Sequence, residues 1–184
     1  MRPTEEHPVL LKGLKTAQII VGALLLGVVI FSVILLVMGP GQTGPAEVEP
    51  GAEATLPLTW LLIGFGALQV LMVWIFRGVF LAHAKRQIAA GSWQPPAGQA
   101  TYAAAGDAGQ LFHSWLTATI IAAAGMEMAA LMSLVAYLLE GQPAALIAAG
   151  FSGLLLALQM PTRGRLDQWL ESELLRLDAP RENA

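Results

Sequence analysis

The chain has 184 residues, of which 55% are hydrophobic and only 12% charged, against about 25% charged in an ordinary soluble domain. That balance excludes an ordinary soluble fold, and a net charge of -3 gives no reason to expect a nucleic-acid partner. The absence of cysteine excludes disulfides, thiolate metal sites and redox dithiols.

Four apolar stretches, near 16–38, 57–76, 117–139 and 144–160, contain no Lys, Arg, Asp or His and a single Glu, Glu127. Crossing about 30 Å of hydrocarbon takes roughly 20 helical residues, since a helix satisfies its own backbone where water is absent. The pattern predicts an all-α, polytopic membrane protein. Its 1–184 chain forms a single membrane domain of four transmembrane helices, arranged as two helical hairpins, with a C-terminal amphipathic helix.

Lys12 and Lys15 stand ahead of the first stretch as in a secretory leader, but an apolar run of about 23 residues exceeds the usual 7–15 of such leaders. It reads as a span. The connection 39–56 is rich in Gly, Pro and Glu and is expected to be solvated. The second helix continues past Arg77 to about Ala90, bringing Lys85 and Arg86 within reach of anionic headgroups, before Gly91 and the Pro95-Pro96 pair end it. Gly98, Gly106 and Gly109 read as punctuation of a linker.

Asp107 precedes Gln110 by three residues, an acidic variant of the capping box, so the third helix is expected from about Ala108 to Leu139. At 1.5 Å per residue that is about 48 Å, which leaves its first turns, with His113 and Trp115, outside the hydrocarbon. His113 is expected to be solvated there, like His7 and His83, and three isolated histidines make no metal site. Pro143 and Pro161 bracket the fourth stretch, which is at the short limit for spanning. Beyond it, Leu166, Trp169, Leu170, Leu174 and Leu177 recur at helical spacing opposite Arg163, Asp167, Glu171 and Arg176, predicting a cytoplasmic amphipathic helix over 162–177. Surface-seeking helices carry Lys and Arg on the polar face, whereas this one carries Asp167, Glu171, Glu173 and Asp178. Docking against the protein's own cytoplasmic side or a partner helix is therefore preferred to adsorption on the bilayer.

The basic residues set the threading. Arg2, Lys12 and Lys15 precede the first span; Arg77, Lys85 and Arg86 follow the second; Arg163, Arg165, Arg176 and Arg181 follow the fourth. The other two connections hold Glu47, Glu49, Glu53 and Glu140 and no Lys or Arg. The positive-inside rule then puts both termini in the cytoplasm of a multi-pass protein of the cell (inner) membrane. Trp60 and Tyr137 fall at the outer boundary, with Trp74, Trp93 and Trp115 at the inner one.

Thr16-Ala17-Gln18-Ile19-Ile20 recurs as Thr117-Ala118-Thr119-Ile120-Ile121, and the register carries Ala23 onto Ala124 and Ser32 onto Ser133. Duplication of a helical hairpin and shared apolar composition both account for this. Small residues spaced by four, Ala145, Ala149, Gly153 and Ala157, form a packing stripe in the fourth span, with shorter versions at Ala23 and Gly27 and at Gly125 and Ala129. Such stripes serve as seams within the chain or as interfaces for a homo-oligomer or another membrane protein.

Glu127 lies about 15 Å into the third span, where an ionised carboxylate costs several kcal/mol unless paired, and no basic residue lies at comparable depth. Gln69 of the second span, also near mid-depth, is its best partner. Glu127 reads either as an interhelical clasp to Gln69 or to a backbone carbonyl, or as a proton or cation site.

The run Thr117-Ala118-Thr119-Ile120-Ile121-Ala122-Ala123-Ala124-Gly125-Met126-Glu127, followed by Met128-Ala129-Ala130, resembles the carboxylate-bearing helix of rotary ATP synthase proteolipid (c) subunits. The resemblance implies that Glu127 carries a translocated proton or sodium ion. It covers about one helix in four, and the preceding helix departs from the family in lacking its dense glycine pattern. Taken whole, the chain resembles the small four-span membrane proteins common in bacterial genomes, a resemblance that supplies no function.

No catalytic motif stands out: Ser114 and His113 are adjacent without an acidic orienter, and no glycine loop follows a strand. Neither a cofactor nor enzymatic activity is expected. The function read from sequence is a structural, regulatory or assembly component acting through helix contacts; the alternative is a proton- or cation-linked transport component using Glu127.

Overall fold

A computed structural model describes residues 7–39, 58–95 and 100–181. The structure is all-helical, with no strand among the described residues. In chain order the helices are α1 (Pro8–Met38), α2 (Leu58–Ala89), the single turn α3 (Ala100–Ala103), α4 (Gly106–Glu140), α5 (Pro143–Leu158) and α6 (Arg163–Arg181). The connection expected to be solvated lies, from residue 40 to residue 56, outside the described residues.

Helices α1, α2 and α4 are each long and apolar enough to cross a membrane, and α5 with α6 provides a fourth candidate only when the two are taken as one broken span. By helix length and apolarity this is a multi-pass membrane protein. Helix α5 has 16 residues, about 24 Å at helical rise, so by itself it is shorter than a typical span. Pro143 starts it at a position where the missing N–H costs nothing. Helix α2 ends as the sequence predicts: Gly91 takes a left-handed φ of 65°, and the Ser92 N–H closes back on the Gln87 carbonyl at 2.9 Å.

Helix α4 departs from its expected start. It begins at Gly106, so Asp107 lies within the first turn and not ahead of it, and Gly109 is helical and not part of a linker. Gly109 rests against the Tyr102 carbonyl, where no Cβ fits. The glycine that looked like loop punctuation is thus the contact that lets α3 lie against α4.

The chain divides into two compact units. Unit one comprises 1–20, 75–121 and 160–184; unit two comprises 21–74 and 122–159. Every described Lys and Arg belongs to unit one, whereas unit two holds only Glu127 and Glu140 as charged side chains among its described residues. The division therefore follows the boundary between polar-flanked and apolar sequence.

In unit one, Leu10, Leu14, Ile88, Leu111, Phe112, Trp115, Leu166 and Leu170 form a buried core. The C-terminal helix contributes two of these, so α6 is docked on the chain itself. Its polar side is not the one expected from sequence. Asp167 and Glu173 are buried, Glu173 by pairing with Lys85 Nζ at 2.6 Å and Arg176 at 3.4 Å, and Asp167 lies 3.7 Å from Arg163 one turn away. Lys85 also stands over the Trp169 ring, 5.7 Å from its centre, which fixes the amphipathic helix by a cation–π contact as well as a charge pair. Gln18 donates to the Pro161 carbonyl at 2.9 Å and anchors the turn that leads into α6.

In unit two, Val21, Val28 and Leu35 of α1 meet Ala123, Met126, Ala130 and Leu134 of α4 and Ala149 and Leu156 of α5. Ala145 and Ala149 of the predicted stripe are fully covered, and the Val28 side chain lies 3.8 Å from the space a Cβ on Gly153 would fill. Ala157, the last member, is half-buried. The stripe is used within the chain. Gly66 and Gly125 bring α2 against α4: Gly125 packs on Val73 with no room for a Cβ, and Gly66 faces Ala129 with ordinary clearance. Ser32 and Ser133, matched in the repeat, each return their hydroxyl to the carbonyl four residues back, at 2.8 and 2.9 Å.

The first turn of α2 is capped from a distance. Glu140, at the end of α4, accepts from the Leu58 N–H at 2.6 Å and the Thr59 N–H at 2.9 Å, satisfying donors that the helix itself leaves open. The Thr59 side chain beside the carboxylate, and then the two amides, hold the Glu140 carboxyl below the usual carboxylate range. The Thr59 hydroxyl falls outside hydrogen-bond geometry, so it acts as a nearby dipole while the amides form the bonds. Replacing Glu140 by Ala is expected to speed amide exchange selectively at Leu58 and Thr59, with Glu140→Gln intermediate. Equal exchange in the wild type and both variants rules out the cap.

Candidate functional site

Glu127 projects from α4 toward α1. Its Oε1 stands 3.5 Å from the position a Cβ on Gly27 would occupy, and the side chain lines a groove with Phe31, Leu131 and Val135. The groove has a volume of about 340 Å³ and is open along one side. A Cβ at position 27 would make only ordinary contact with the carboxyl. Residues 127, 131 and 135 follow one another at one turn each, so the groove runs along α4 for about 12 Å.

The structure does not bring Gln69 to this carboxyl. No hydrogen bond joins Glu127 and Gln69 among the described residues, and the Gln69 Oε1 is buried without a partner. The reason is rotation about the helix. At about 100° per residue, Glu127 lies about 200° around α4 from both Gly125 and Ala129, the residues that pack on α2. Matching depth in the membrane is therefore not enough; the two groups face different neighbours. Ala123 and Ala130 beside Glu127 are buried in the α1 contact, while Ala124 is exposed.

The surroundings of Glu127 are electrically quiet. Within unit two the other described titratable groups are Tyr137 and Glu140, which lie about 15 and 20 Å further along the same helix. None of the described parts of α1, α2 or α5 in that unit carries a titratable side chain. No group of three or more potential metal-ligating His, Cys, Asp or Glu residues occurs among the described residues. The chain matches no family model, no curated protein and no solved structure. What Glu127 does must therefore be read from its own geometry.

A second polar site lies in unit one. His113 is not solvated but 7% exposed, held between Trp93 at 6.0 Å and Tyr102 at 5.6 Å between ring centres. Tyr102 continues to Phe112 at 5.6 Å, Phe112 to Trp115 at 6.2 Å and Trp115 to Trp169 at 6.3 Å. Trp115 is accordingly a core residue and not a member of an interfacial belt. A lone histidine carries little sequence signal; the hint lies in Trp93 and Tyr102, the two aromatics in a connection otherwise made of small and polar residues. Ser114, next to it, donates to the Gln110 carbonyl at 3.0 Å.

Burial pushes the His113 imidazole below its ordinary value of 6.5. The unfolded chain then binds more protons than the folded one as pH falls through the ordinary value, so stability declines on acidification. Unit one is expected to be fully stable above about pH 6.5 and to weaken progressively below it. His113→Phe, which keeps the aromatic contacts without the titration, is expected to flatten this profile in thermal melts; an unchanged slope assigns the acid sensitivity elsewhere.

Proposed function

We propose that this protein is a proton- or cation-linked transport component of a membrane, with Glu127 as its working group, α5 as a short fourth span and both termini in the cytoplasm. The observation that carries the reading is the Glu127 carboxyl itself. It lies within an apolar span, has no hydrogen bond or ion pair among the described residues, and lines an open groove. A carboxyl placed so serves structure poorly, because a structural clasp needs a partner, but it can take up and release a cation as its surroundings change. The distribution of Lys and Arg supports the orientation.

The structural and assembly reading draws on fewer free surfaces, since the α5 stripe and the apolar face of α6 are both occupied within the chain. One feature keeps it as a second reading: Ala23 and Gly27 of α1 are exposed small residues on the helix that borders the groove, a surface another helix could approach closely.

Reconstitution in vesicles containing a pH-sensitive dye tests the proposal. An imposed cation gradient is expected to drive proton movement with the wild type and with Glu127→Asp, and none above the empty-vesicle rate with Glu127→Gln. Identical rates for wild type and Glu127→Gln sink the transport reading.

A further inference from the structure

We infer that the Glu127 groove binds a lipophilic organic cation, one whose charge is delocalised or carried on a quaternary centre, in exchange for the carboxyl proton. The inference rests on the transport reading above and names its substrate class.

The argument begins with what the groove lacks. A small metal cation gives up hydration only to several oxygen or nitrogen ligands, about six to eight for calcium and four for zinc. Here the lining is Gly27, Phe31, Leu131 and Val135, with one carboxyl among them, and no metal-capable cluster occurs among the described residues. A primary ammonium fares little better, because its three N–H donors would face one carboxyl and otherwise apolar walls. A cation without N–H donors and with an apolar body needs neither. Its charge sits beside the carboxylate, its body against Leu131 and Val135, and the Phe31 ring adds a π face that attracts cations.

Size and access agree with this class. A volume of about 340 Å³ is within the usual range of small-molecule sites, and the groove is open along one side. The chain supplies no competing cation, since every Lys and Arg lies outside the apolar stretches. With no other titratable group facing the site from α1, α2, α4 or α5 in the described residues of unit two, the exchange is one for one. The Glu127 carboxylic acid loses its proton to water as the organic cation takes its place beside the carboxylate.

Binding of tetraphenylphosphonium to the detergent-purified full chain, followed with a cation-selective electrode, tests this. Saturable binding is expected that tightens as pH is raised, with tetraphenylborate, the same shape with opposite charge, showing none. Glu127→Gln is expected to weaken binding at least roughly tenfold, as for removal of one member of a poorly solvated charge pair. Glu127→Asp should retain it. Gly27→Leu, which fills the groove and leaves the carboxyl in place, should also abolish it, while Glu140→Gln should bind as wild type. Matched thermal melts exclude unfolding as the cause of any loss. Binding unaffected by Glu127→Gln, or equal uptake of both ions, means detergent partition and overturns the inference. Absent binding alongside Glu127-dependent proton flux in vesicles overturns the substrate class and leaves the transport reading standing; absence of both removes the two together.

Discussion

Phe112→Ala is expected to lower the stability of unit one by about 3–5 kcal/mol, the range for emptying a large aromatic site in a packed core. Phe112 is fully buried and touches three elements at once: Trp115 one turn along α4, Tyr102 in α3, and the Gly13 backbone of α1. Gly13 has no space for a Cβ, whose nearest neighbours would be the Phe112 ring at 2.6 Å and the Tyr102 hydroxyl at 2.8 Å. The surrounding rings are too large to slide into the vacated volume, so collapse offsets little of the loss. Thermal unfolding followed by tryptophan fluorescence reads the effect, because Trp115 and Trp169 belong to the same chain of aromatic contacts. A change within 1 kcal/mol, roughly the size of a well-tolerated core swap, shows that this core does not hold the unit together.

The second large effect is expected at Gly125. In an apolar span there is no hydrophobic force between helices, because lipid is as apolar as leucine, so close packing carries association. Gly125→Val places two methyl groups where Val73 already lies and is expected to cost about 1–3 kcal/mol, the typical penalty for overpacking. Gly66→Ala is the internal control: its added methyl would stand 3.6 Å from the nearest Ala129 atom, an ordinary contact, and should change little. Cysteine crosslinking between α2 and α4 in each variant reports the separation directly. Equal crosslinking in Gly125→Val and wild type contradicts the close approach.

Much of this architecture was legible in the residues. Three of the four stretches read as spans fall, to within a residue, in the three long helices, the fourth falls on the short α5, α2 stops at Gly91, and the apolar residues of 166–177 mark the docked side of α6. These features depend on local composition and on one helix at a time. What sequence did not convey is azimuth. Glu127 and Gln69 share a depth, yet which way each points depends on which face of α4 carries glycine for α2, and Gly125 declares that only when Val73 is seen against it. The burial of His113 escapes sequence for a related reason: its cover comes from Trp93 and Tyr102, which no periodicity pairs with it. Helical spacing sets Asp167 opposite the apolar residues, yet it is buried, because the helix is covered over a wider arc than its leucines mark.

The composition of the unit-one core also sets an order of events during biosynthesis. Leu166 and Leu170 are translated after every apolar stretch, yet they complete a core whose other members come from α1, α2 and α4. Until α6 has left the ribosome, Leu10, Ile88, Leu111 and Phe112 lack their final cover, however well the earlier helices have inserted. A nascent chain stalled before residue 166 would thus present an unfinished apolar surface to chaperones and proteases.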